Sequence, residues 1–126
     1  MDEPQILIVE DDQQTLKLLE LVLENDANVH LAESAEDALG LIDVAPNPFD
    51  LLIIDIHLEK GIDGTEFLTR VRALDSWGKV PAIACTAYAM PGDREKLLNA
   101  GFDYYVSKPF RKQELSDTIE QALVGG

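Results

Sequence analysis

The chain has 126 residues, of which 46% are hydrophobic, and it contains one cysteine. This length and composition indicate one globular domain and argue against disorder. The chain has no apolar stretch long enough for a membrane span, and its first residues lack the positive charge of a secretory leader. A single cysteine excludes an internal disulfide framework, so we expect a cytoplasmic protein. The formal net charge of −14 argues against binding to nucleic acid or to anionic membranes. We expect most of the acidic residues to lie on solvated helix faces. The alternative role for this charge is to attract a partner protein with a basic surface.

Apolar runs typical of strands alternate with segments of helical periodicity. The predicted strands are 5-QILIV-9, 28-NVHLA-32, 50-DLLIID-55, 80-VPAIAC-85 and 104-YYVS-107. The predicted helices carry the apolar residues Leu16, Leu18, Leu19, Val22 and Leu23; Ala35, Ala38, Leu39 and Ile42 after an N-cap at Ser34; Phe67, Leu68, Val71 and Leu74; and Leu115, Ile119, Ala122 and Leu123. A further helix, the fourth, is expected to begin near Pro91-Gly92-Asp93 and to end at Gly101.

Strands that are apolar throughout are buried on both faces, which predicts a parallel sheet between two helix layers. We therefore expect an α/β fold, a flavodoxin-like doubly wound five-stranded parallel sheet of order 2-1-3-4-5 with five helices. In that order the topological switch point lies between strands 1 and 3, and ligands bind at the carboxyl ends of these strands.

Three acids stand at those two strand ends: Glu10, Asp11 and Asp55. Converging carboxylates repel each other and raise each other's pKa values unless a cation neutralises them. Because the set offers only oxygen ligands and no His or Cys cluster, it favours Mg²⁺ over Zn²⁺. Two alternatives stay open. The acids after strand 1 could cap the first helix, a role that we assign to Asp12, and Asp55 could be an acid that accepts turn hydrogen bonds.

Two further polar residues lie at the ends of later strands. Thr86 follows the fourth apolar run, and Lys108 follows the fifth. Each is weak evidence alone, but together they supply a hydroxyl and a fixed positive charge suited to the oxygens of a phosphoryl group. The bond between Lys108 and Pro109 further restricts the backbone that directs the lysine.

The combined motifs resemble the receiver domain of the two-component response regulator family, over essentially the whole chain. The residues that carry the resemblance are 6-ILIVEDD-12, 53-IIDIHL-58, Asp63-Gly64, Thr86-Ala87, and Tyr105 three residues before 108-KPF-110. The likeness is to stand-alone, chemotaxis-type receivers. We expect one receiver domain over 1–126, with a core from about residue 4 to 124 and no output domain in this chain.

The resemblance implies that Asp55 accepts a phosphoryl group from a phosphohistidine of a sensor histidine kinase or a phosphotransfer protein. The implied metal ligands for Mg²⁺ are the side chains of Asp11 and Asp55 and the backbone carbonyl of His57, with support from Glu10 through water. The implied phosphoryl-binding groups are Thr86, the backbone of Ala87, and Lys108. Movement of Thr86 would let Tyr105 enter the vacated space as the switch, whereas we expect Tyr104 to serve in packing.

The family assignment also sets expectations for activity and assembly. Such a domain is not an enzyme, although it promotes its own phosphorylation and dephosphorylation. It would be a monomer or weak homodimer. It would act on an unidentified protein target that binds the surface of helix 4, strand 5 and helix 5, or as an intermediate in a phosphorelay.

The loop after Asp55 departs from the family pattern. Its sequence, 56-IHLEKGIDG-64, is one residue longer than the common form, and Glu59 stands where a proline is usual. His57 lies two residues after Asp55, and Tyr88 lies two residues after Thr86. Both positions are at the rim of the expected site, so we predict that these side chains tune the lifetime of the phosphorylated state by controlling access of water.

Two other function classes remain as alternatives. The first is a receiver-like adaptor module that works without phosphorylation, although Asp55, Thr86 and Lys108 are all present. The second is an enzyme or cofactor carrier of the same topology, such as a flavodoxin or an aspartyl phosphatase. A flavodoxin needs a phosphate-binding loop rich in Ser, Thr and Gly after strand 1, where this chain has acids, and a phosphatase needs a substrate cap.

Overall fold

The computed structural model describes residues 3–87 and 92–125, in which five strands alternate with five helices. The strands are β1 Gln5–Val9, β2 Asn28–Ala32, β3 Leu51–Asp55, β4 Ala82–Thr86 and β5 Tyr104–Ser107. The helices are α1 Gln13–Leu23, α2 Ala35–Val44, α3 Gly64–Arg72, α4 Asp93–Asn99 and α5 Lys112–Gly125. All paired strands are parallel, in the order β2-β1-β3-β4-β5, which confirms the predicted flavodoxin-like fold.

The sheet forms the central layer because its strands are apolar on both faces. Residues 6–9 of β1 and 51–54 of β3 have exposed fractions of 1% or less. Successive side chains on a strand point to opposite faces, so Leu52 packs on one side of the sheet and Ile53 on the other. Both faces must therefore be covered by helices.

Two apolar cores fill the spaces between sheet and helices. The core on one face includes Phe67 and Val71 of α3, and the core on the other face includes Leu19 of α1 and Leu115 of α5. Full burial of side chains of this size contributes about 1.5–3 kcal/mol each. Among the described residues, no helix has the length and apolar character needed to cross a membrane.

Three polar side chains cap helices at the carboxyl edge of the sheet. They are Asp12 for α1, Ser34 for α2 and Asp63 for α3, and each accepts a hydrogen bond from the N–H three residues later, at 2.9 to 3.2 Å. Such caps satisfy backbone donors that have no partner within the helix. The predicted capping roles of Asp12 and Ser34 are confirmed. The caps fix the loops at the carboxyl edge of the sheet.

Several predicted boundaries and helix positions were wrong. Leu18 is 42% exposed because it lies off the face of α1 that contacts the sheet. Leu74 is 41% exposed because α3 ends at Arg72, before this residue. The strand predicted from residue 80 begins at Ala82, since Pro81 has no N–H to donate to the ladder, and it includes Thr86 as its last residue.

At the amino-terminal edge of the sheet, Arg72 connects α3 to the segments before β4 and β5. The sequence did not predict these contacts. The Arg72 guanidinium donates to the carbonyl oxygens of Val80 and Gly101, the latter at 2.8 Å, and forms an ion pair with Asp103 at 3.2 Å. Asp103 Oδ2 in turn accepts the N–H of Ala82 at 2.9 Å. One side chain thus ties α3 to the start of β4 and to the turn before β5.

We predict that Arg72→Ala lowers the free energy of unfolding by about 2 kcal/mol, because it leaves several part-buried acceptors without their charged donor. Urea unfolding followed by circular dichroism measures this change. The matched control is Arg70→Ala, which removes an arginine of the same helix whose ion pair with Glu66 is about half exposed. Loss of that exposed pair should cost less than about 0.5 kcal/mol. Equal losses for the two variants would contradict the assignment.

Candidate functional site

Parallel pairing places the carboxyl ends of β1 and β3 side by side. Val9 pairs with Ile54, so the next residues, Glu10 and Asp55, leave the two strands at the same level. Asp11 follows in the loop before α1. One carboxylate oxygen from each of the three acids lies within 4.8 Å of the others. The structure thus brings together the three acids that the sequence placed at this edge.

A backbone N–H donates to each carboxylate of this acid cluster. The pairs are Asp12 N to Glu10 Oε2 (3.1 Å), Glu59 N to Asp11 Oδ2 (2.9 Å) and His57 N to Asp55 Oδ1 (3.0 Å). The last of these is the turn hydrogen bond that was the alternative explanation for Asp55, and it coexists with the cluster. A carboxylate has two oxygens and several lone pairs, so each acid can accept this bond and still serve as a ligand.

Lys108 provides the positive charge of the site. Its ammonium lies 2.6 Å from Glu10 Oε1 and 3.7 Å from Asp55 Oδ2, while these two acids are only 1% and 5% exposed. The backbone N–H of Lys108 donates to the carbonyl oxygen of Thr86 at 2.8 Å, and the bond from Lys108 to Pro109 is cis. The lysine is thus held at the end of β5 and directed towards the acids.

Burial dominates the electrostatics of the acid cluster. Burial raises the pKa of Glu10 from 4.5 to about 7, and the hydrogen bond with Asp55 acts in the same direction, whereas the bond from Lys108 acts against it. For Lys108, burial lowers the pKa, but the hydrogen bond and negative charge of Glu10 outweigh burial, and the pKa is raised above 10.5. Lys108 therefore stays charged at neutral pH, whereas the Glu10 carboxyl group can gain or release a proton near neutral pH.

A cavity of about 320 Å³ lies between the loop after β3 and helix α4. Its lining includes His57 of the loop, Thr86 at the end of β4, and Lys96 of α4. Thr86 is 3% exposed, and Ala87, the next residue, is exposed. The structure thus places His57, whose backbone N–H donates to Asp55, and Thr86 around one cavity at the carboxyl edge.

The three tyrosines named from the sequence have different positions. Tyr105 pairs with Ala84 of β4 and is half-buried against the core that contains Phe67. Tyr104 packs against the opposite core, and its hydroxyl donates to the carbonyl oxygen of Gln121 at 3.5 Å. Tyr88 lies outside the described residues.

Gly64 lets helix α3 begin directly against the backbone of Asp55. A Cβ atom at residue 64 would lie 2.3 Å from the carbonyl oxygen of Asp55 and 2.9 Å from the side chain of Ile54. The N–H of Gly64 also donates to the carbonyl oxygen of Ile56 at 3.1 Å. A larger residue here would push the loop away from the acid cluster.

The donor set fits a hard divalent cation. Three carboxylates within 4.8 Å of one another offer oxygen atoms only, and the edge of the sheet leaves Asp11 partly exposed. Mg²⁺ prefers oxygen ligands and keeps several waters, so a partly open site with few protein ligands suits it.

Two contacts to the loop after β3 were not predicted. The first is the bond from the Glu59 amide to Asp11, and the second is a bond from the Ile62 amide to Glu36 Oε2 at 3.3 Å. The unusual length of this loop was the one feature of the sequence that drew attention to this region. Glu36 carried no signal of its own, because an acid in the first turn of a helix is already expected from the helix dipole.

Residues 6–120 match the family model of the response regulator receiver domain. The chain therefore belongs to this family, whose members are signalling domains of two-component systems. The match covers the strand ends that supply Glu10, Asp55, Thr86 and Lys108.

Similar proteins include one of comparable length and one about twice as long. The chain is 40% identical over 118 residues to an uncharacterised 14.6 kDa protein of Leptolyngbya boryana, covering 92% of this chain and 87% of that protein. It is 38% identical over 118 residues to the KDP operon transcriptional regulatory protein KdpE of Escherichia coli K12, covering 94% of this chain. The chain spans only 50% of the length of KdpE.

A solved structure with the same fold is the receiver domain of the sensor histidine kinase PA1611 of Pseudomonas aeruginosa PAO1. It superposes with a TM-score of 0.83 at 32% identity, covering 98% of this chain and 99% of that one. That protein is described with a magnesium ion coordinated in its active site cleft.

We predict that the Glu10 carboxyl group titrates near pH 7 in the metal-free protein, because burial favours its neutral form. The pKa of Glu10 is about 7 in the folded state and 4.5 in the unfolded chain. Between pH 4.5 and about 7, the folded state therefore holds a proton that the unfolded chain has released. The stabilising contribution of this group is therefore complete below pH 4.5 and is lost as the pH rises through about 7. Carbon NMR of the side-chain carboxyl groups measures the midpoint.

Lys108→Met is the companion variant for this titration. It removes the hydrogen bond that favours ionised Glu10, so the Glu10 midpoint should move to higher pH. A wild-type midpoint near 4.5, or a shift to lower pH in Lys108→Met, would contradict the electrostatic description.

Proposed function

We propose that this receiver accepts a phosphoryl group on Asp55 from a phosphohistidine of a sensor histidine kinase or phosphotransfer protein, in a reaction that depends on Mg²⁺. The observation that carries the proposal is the position of Asp55 next to both a fixed positive charge and two further acids. Lys108 Nζ lies 3.7 Å from Asp55 Oδ2, and a cluster with Glu10 and Asp11 lies within 4.8 Å of the same carboxylate.

The two oxygens of Asp55 have different environments. Oδ1 accepts the N–H of His57 at 3.0 Å, whereas Oδ2 is the oxygen near the Lys108 ammonium. In the transfer, an oxygen of Asp55 forms a bond to phosphorus while the phosphorus–nitrogen bond of the donor breaks. The donor imidazole leaves with the electron pair and is then protonated by solvent.

A carboxylate attacks a negatively charged phosphoryl group only when the repulsion between them is screened. Lys108 supplies a fixed charge for this purpose, and the hydroxyl of Thr86 and the N–H of Ala87 would donate to phosphoryl oxygens. Because these groups are held by β4, β5 and their loops, their orientation is set before the donor arrives.

Asp11, Asp55 and the carbonyl oxygen of His57 would hold the metal ion, with Glu10 contributing through water. When bound, Mg²⁺ supplies positive charge that screens the phosphoryl oxygens and orients them for displacement. The acid cluster and its oxygen-only donors in this chain support the assignment, as does the magnesium described for the PA1611 receiver.

Phosphorylation would be read out through Thr86 and Tyr105. We propose that Thr86 moves towards the phosphoryl group and that half-buried Tyr105 enters the space it leaves. Converting such a switch from mostly off to mostly on requires about 5.5 kcal/mol of differential binding, and charge-assisted hydrogen bonds can supply much of it. The surface of α4, β5 and α5 would then present the change to a protein target, with the exposed Leu98 of α4 as one contact.

We predict that incubation with acetyl phosphate and Mg²⁺ adds one phosphoryl group to the wild-type protein and none to Asp55→Asn, as measured by intact mass. Asp50→Asn is the matched control. Asp50 directly precedes the first residue of β3, at the end of the strand opposite to Asp55, and accepts the N–H of Gln5. This control should be phosphorylated normally. Phosphorylation of Asp55→Asn, or of wild type in excess chelator, would contradict the proposal.

We predict that His57→Ala accelerates dephosphorylation, because His57 is exposed and contacts Asp55 through its backbone, where its side chain would hinder the approach of water to a phosphorylated Asp55. A threefold change in rate corresponds to roughly 0.7 kcal/mol in the barrier, so we expect an increase of about threefold or more. The decay of the phosphorylated protein after removal of the donor measures the rate.

His30→Ala serves as the control for this measurement, because His30 lies on β2, where it hydrogen-bonds to Gln5 and its ring contacts that of Phe49 in a tilted arrangement. Its decay rate should match wild type. A His57→Ala rate that stays within about twofold of wild type, or that falls, would reject the shielding role.

A further inference from the structure

The loop that joins β3 to α3, residues 56–63, is held differently in its two halves. In the first half, the N–H of Ile56 donates to the carbonyl oxygen of Cys85 at 3.1 Å, and the side chain of Leu58 is buried. In the second half, Glu59, Lys60 and Gly61 are exposed. Ile62 packs against the core that contains Phe67, and Asp63 caps α3, so the loop is anchored again at this point. The position of the exposed residues 59–61 between these anchors depends most on groups that reach them from other segments.

Two carboxylates from other segments hold this half of the loop. Asp11, from the loop after β1, accepts the N–H of Glu59 at 2.9 Å. Glu36, in the first turn of α2, accepts the N–H of Ile62 at 3.3 Å. One of these acids is a candidate metal ligand, and the other lies on a different helix outside the acid cluster.

The carboxylate of Glu36 also packs against Gly61. Gly61 has a φ of 71°, and a Cβ atom at this residue would lie 2.3 and 2.5 Å from the two carboxylate oxygens of Glu36. The Glu36 carboxylate, although solvent-exposed, thus occupies the space beside the glycine. It makes two distinct contacts to the loop, one polar and one steric.

We propose that Glu36 is a positioning residue for the divalent-cation site, an inference that rests on the proposed function. Glu36 acts through the loop, because its carboxylate contacts Gly61 and accepts the N–H of Ile62. These contacts hold the loop in the position from which the Glu59 N–H donates to Asp11 Oδ2. The bond from Glu59 orients the Asp11 carboxylate before the cation binds. Groups that orient a ligand in this way raise metal affinity, because the ligand need not be ordered on binding.

Loss of the Glu36 contacts has a definite physical consequence. The Ile62 amide would exchange its carboxylate partner for water, and the loop around Gly61 would gain conformational freedom. The Glu59 amide would then spend less time on Asp11. Cation binding would have to restore this order, so the affinity would fall while the chemistry at Asp55 stayed intact once the site was filled.

The test separates the reach of the side chain from its charge. Glu36→Gln keeps the length and an acceptor oxygen but loses the charge, whereas Glu36→Asp keeps the charge but is too short to reach Ile62. Asp37→Asn removes a charge from the same helical turn and is the matched electrostatic control. Calorimetric titration of the metal-free proteins with MgCl₂ measures the affinity of each.

We expect Glu36→Asp to bind Mg²⁺ roughly threefold to tenfold more weakly than wild type, and Glu36→Gln and Asp37→Asn to stay within about twofold. Wild-type affinity in Glu36→Asp would overturn the proposal. A loss in Glu36→Gln and Asp37→Asn as large as that in Glu36→Asp would also overturn it, because charge and not position would then be responsible.

Amide hydrogen exchange in the metal-free proteins gives a second readout. Exchange at residues 59 and 62 should be faster in Glu36→Asp than in wild type and unchanged in Asp37→Asn, while a Glu36→Asp protein without this acceleration would contradict the proposal. Both readouts are independent of phosphorylation. Failure of wild type to be phosphorylated would reject the proposed function alone, whereas normal phosphorylation with unaltered Glu36→Asp binding would reject this inference alone.

Discussion

The functional edge of this protein depends on the ion pair between Lys108 and the buried acids of β1 and β3. Burying an ionised carboxylate costs several kcal/mol unless it is paired and hydrogen-bonded. Glu10 and Asp55 are both buried, and Lys108 approaches them at 2.6 and 3.7 Å. With Glu10 ionised, three acids and one lysine leave a local charge of −2. A divalent cation would neutralise this charge, and without a cation the raised pKa of Glu10 reduces it.

The fold creates this balance because parallel strands end at the same edge of the sheet. Glu10 and Asp55 come from adjacent strands in matching register, whereas Lys108 follows β5 and must reach across the level of β4. A long, unbranched side chain can span that distance while its backbone N–H is fixed to Thr86. The loops then add backbone donors to each carboxylate, so the acids are oriented as well as concentrated. The apolar cores on both faces supply stability that offsets the cost of burying these charges.

Much of the fold followed from the sequence because apolar periodicity and strand ends are local signals. The run that ends in Asp55 and the run that precedes Glu10 predicted both the sheet and the meeting of acids at its switch point. Leu18 and Leu74 were misplaced because apolar character alone does not show which helix face meets the sheet or where a helix ends.

The contacts that no pattern indicated join segments far apart in the chain. Arg72 and Asp103 are 31 residues apart, Asp11 and Glu59 are 48 apart, and Glu36 and Ile62 are 26 apart. Each of these polar side chains would be equally plausible as a solvated surface group, so only the folded geometry reveals its partner. This applies most to the loop after β3, whose extra residue was visible in the sequence and whose attachment was not.

The most direct test of the central claim is a crystal structure of the protein grown or soaked with Mn²⁺, which takes oxygen ligands like those of Mg²⁺ and can be located by anomalous scattering. We expect one ion at the carboxyl edge of the sheet, ligated by Asp11 and Asp55, with the Lys108 ammonium still close to Asp55. An anomalous map without an ion among these acids at saturating Mn²⁺, or with Lys108 directed away from them, would contradict it.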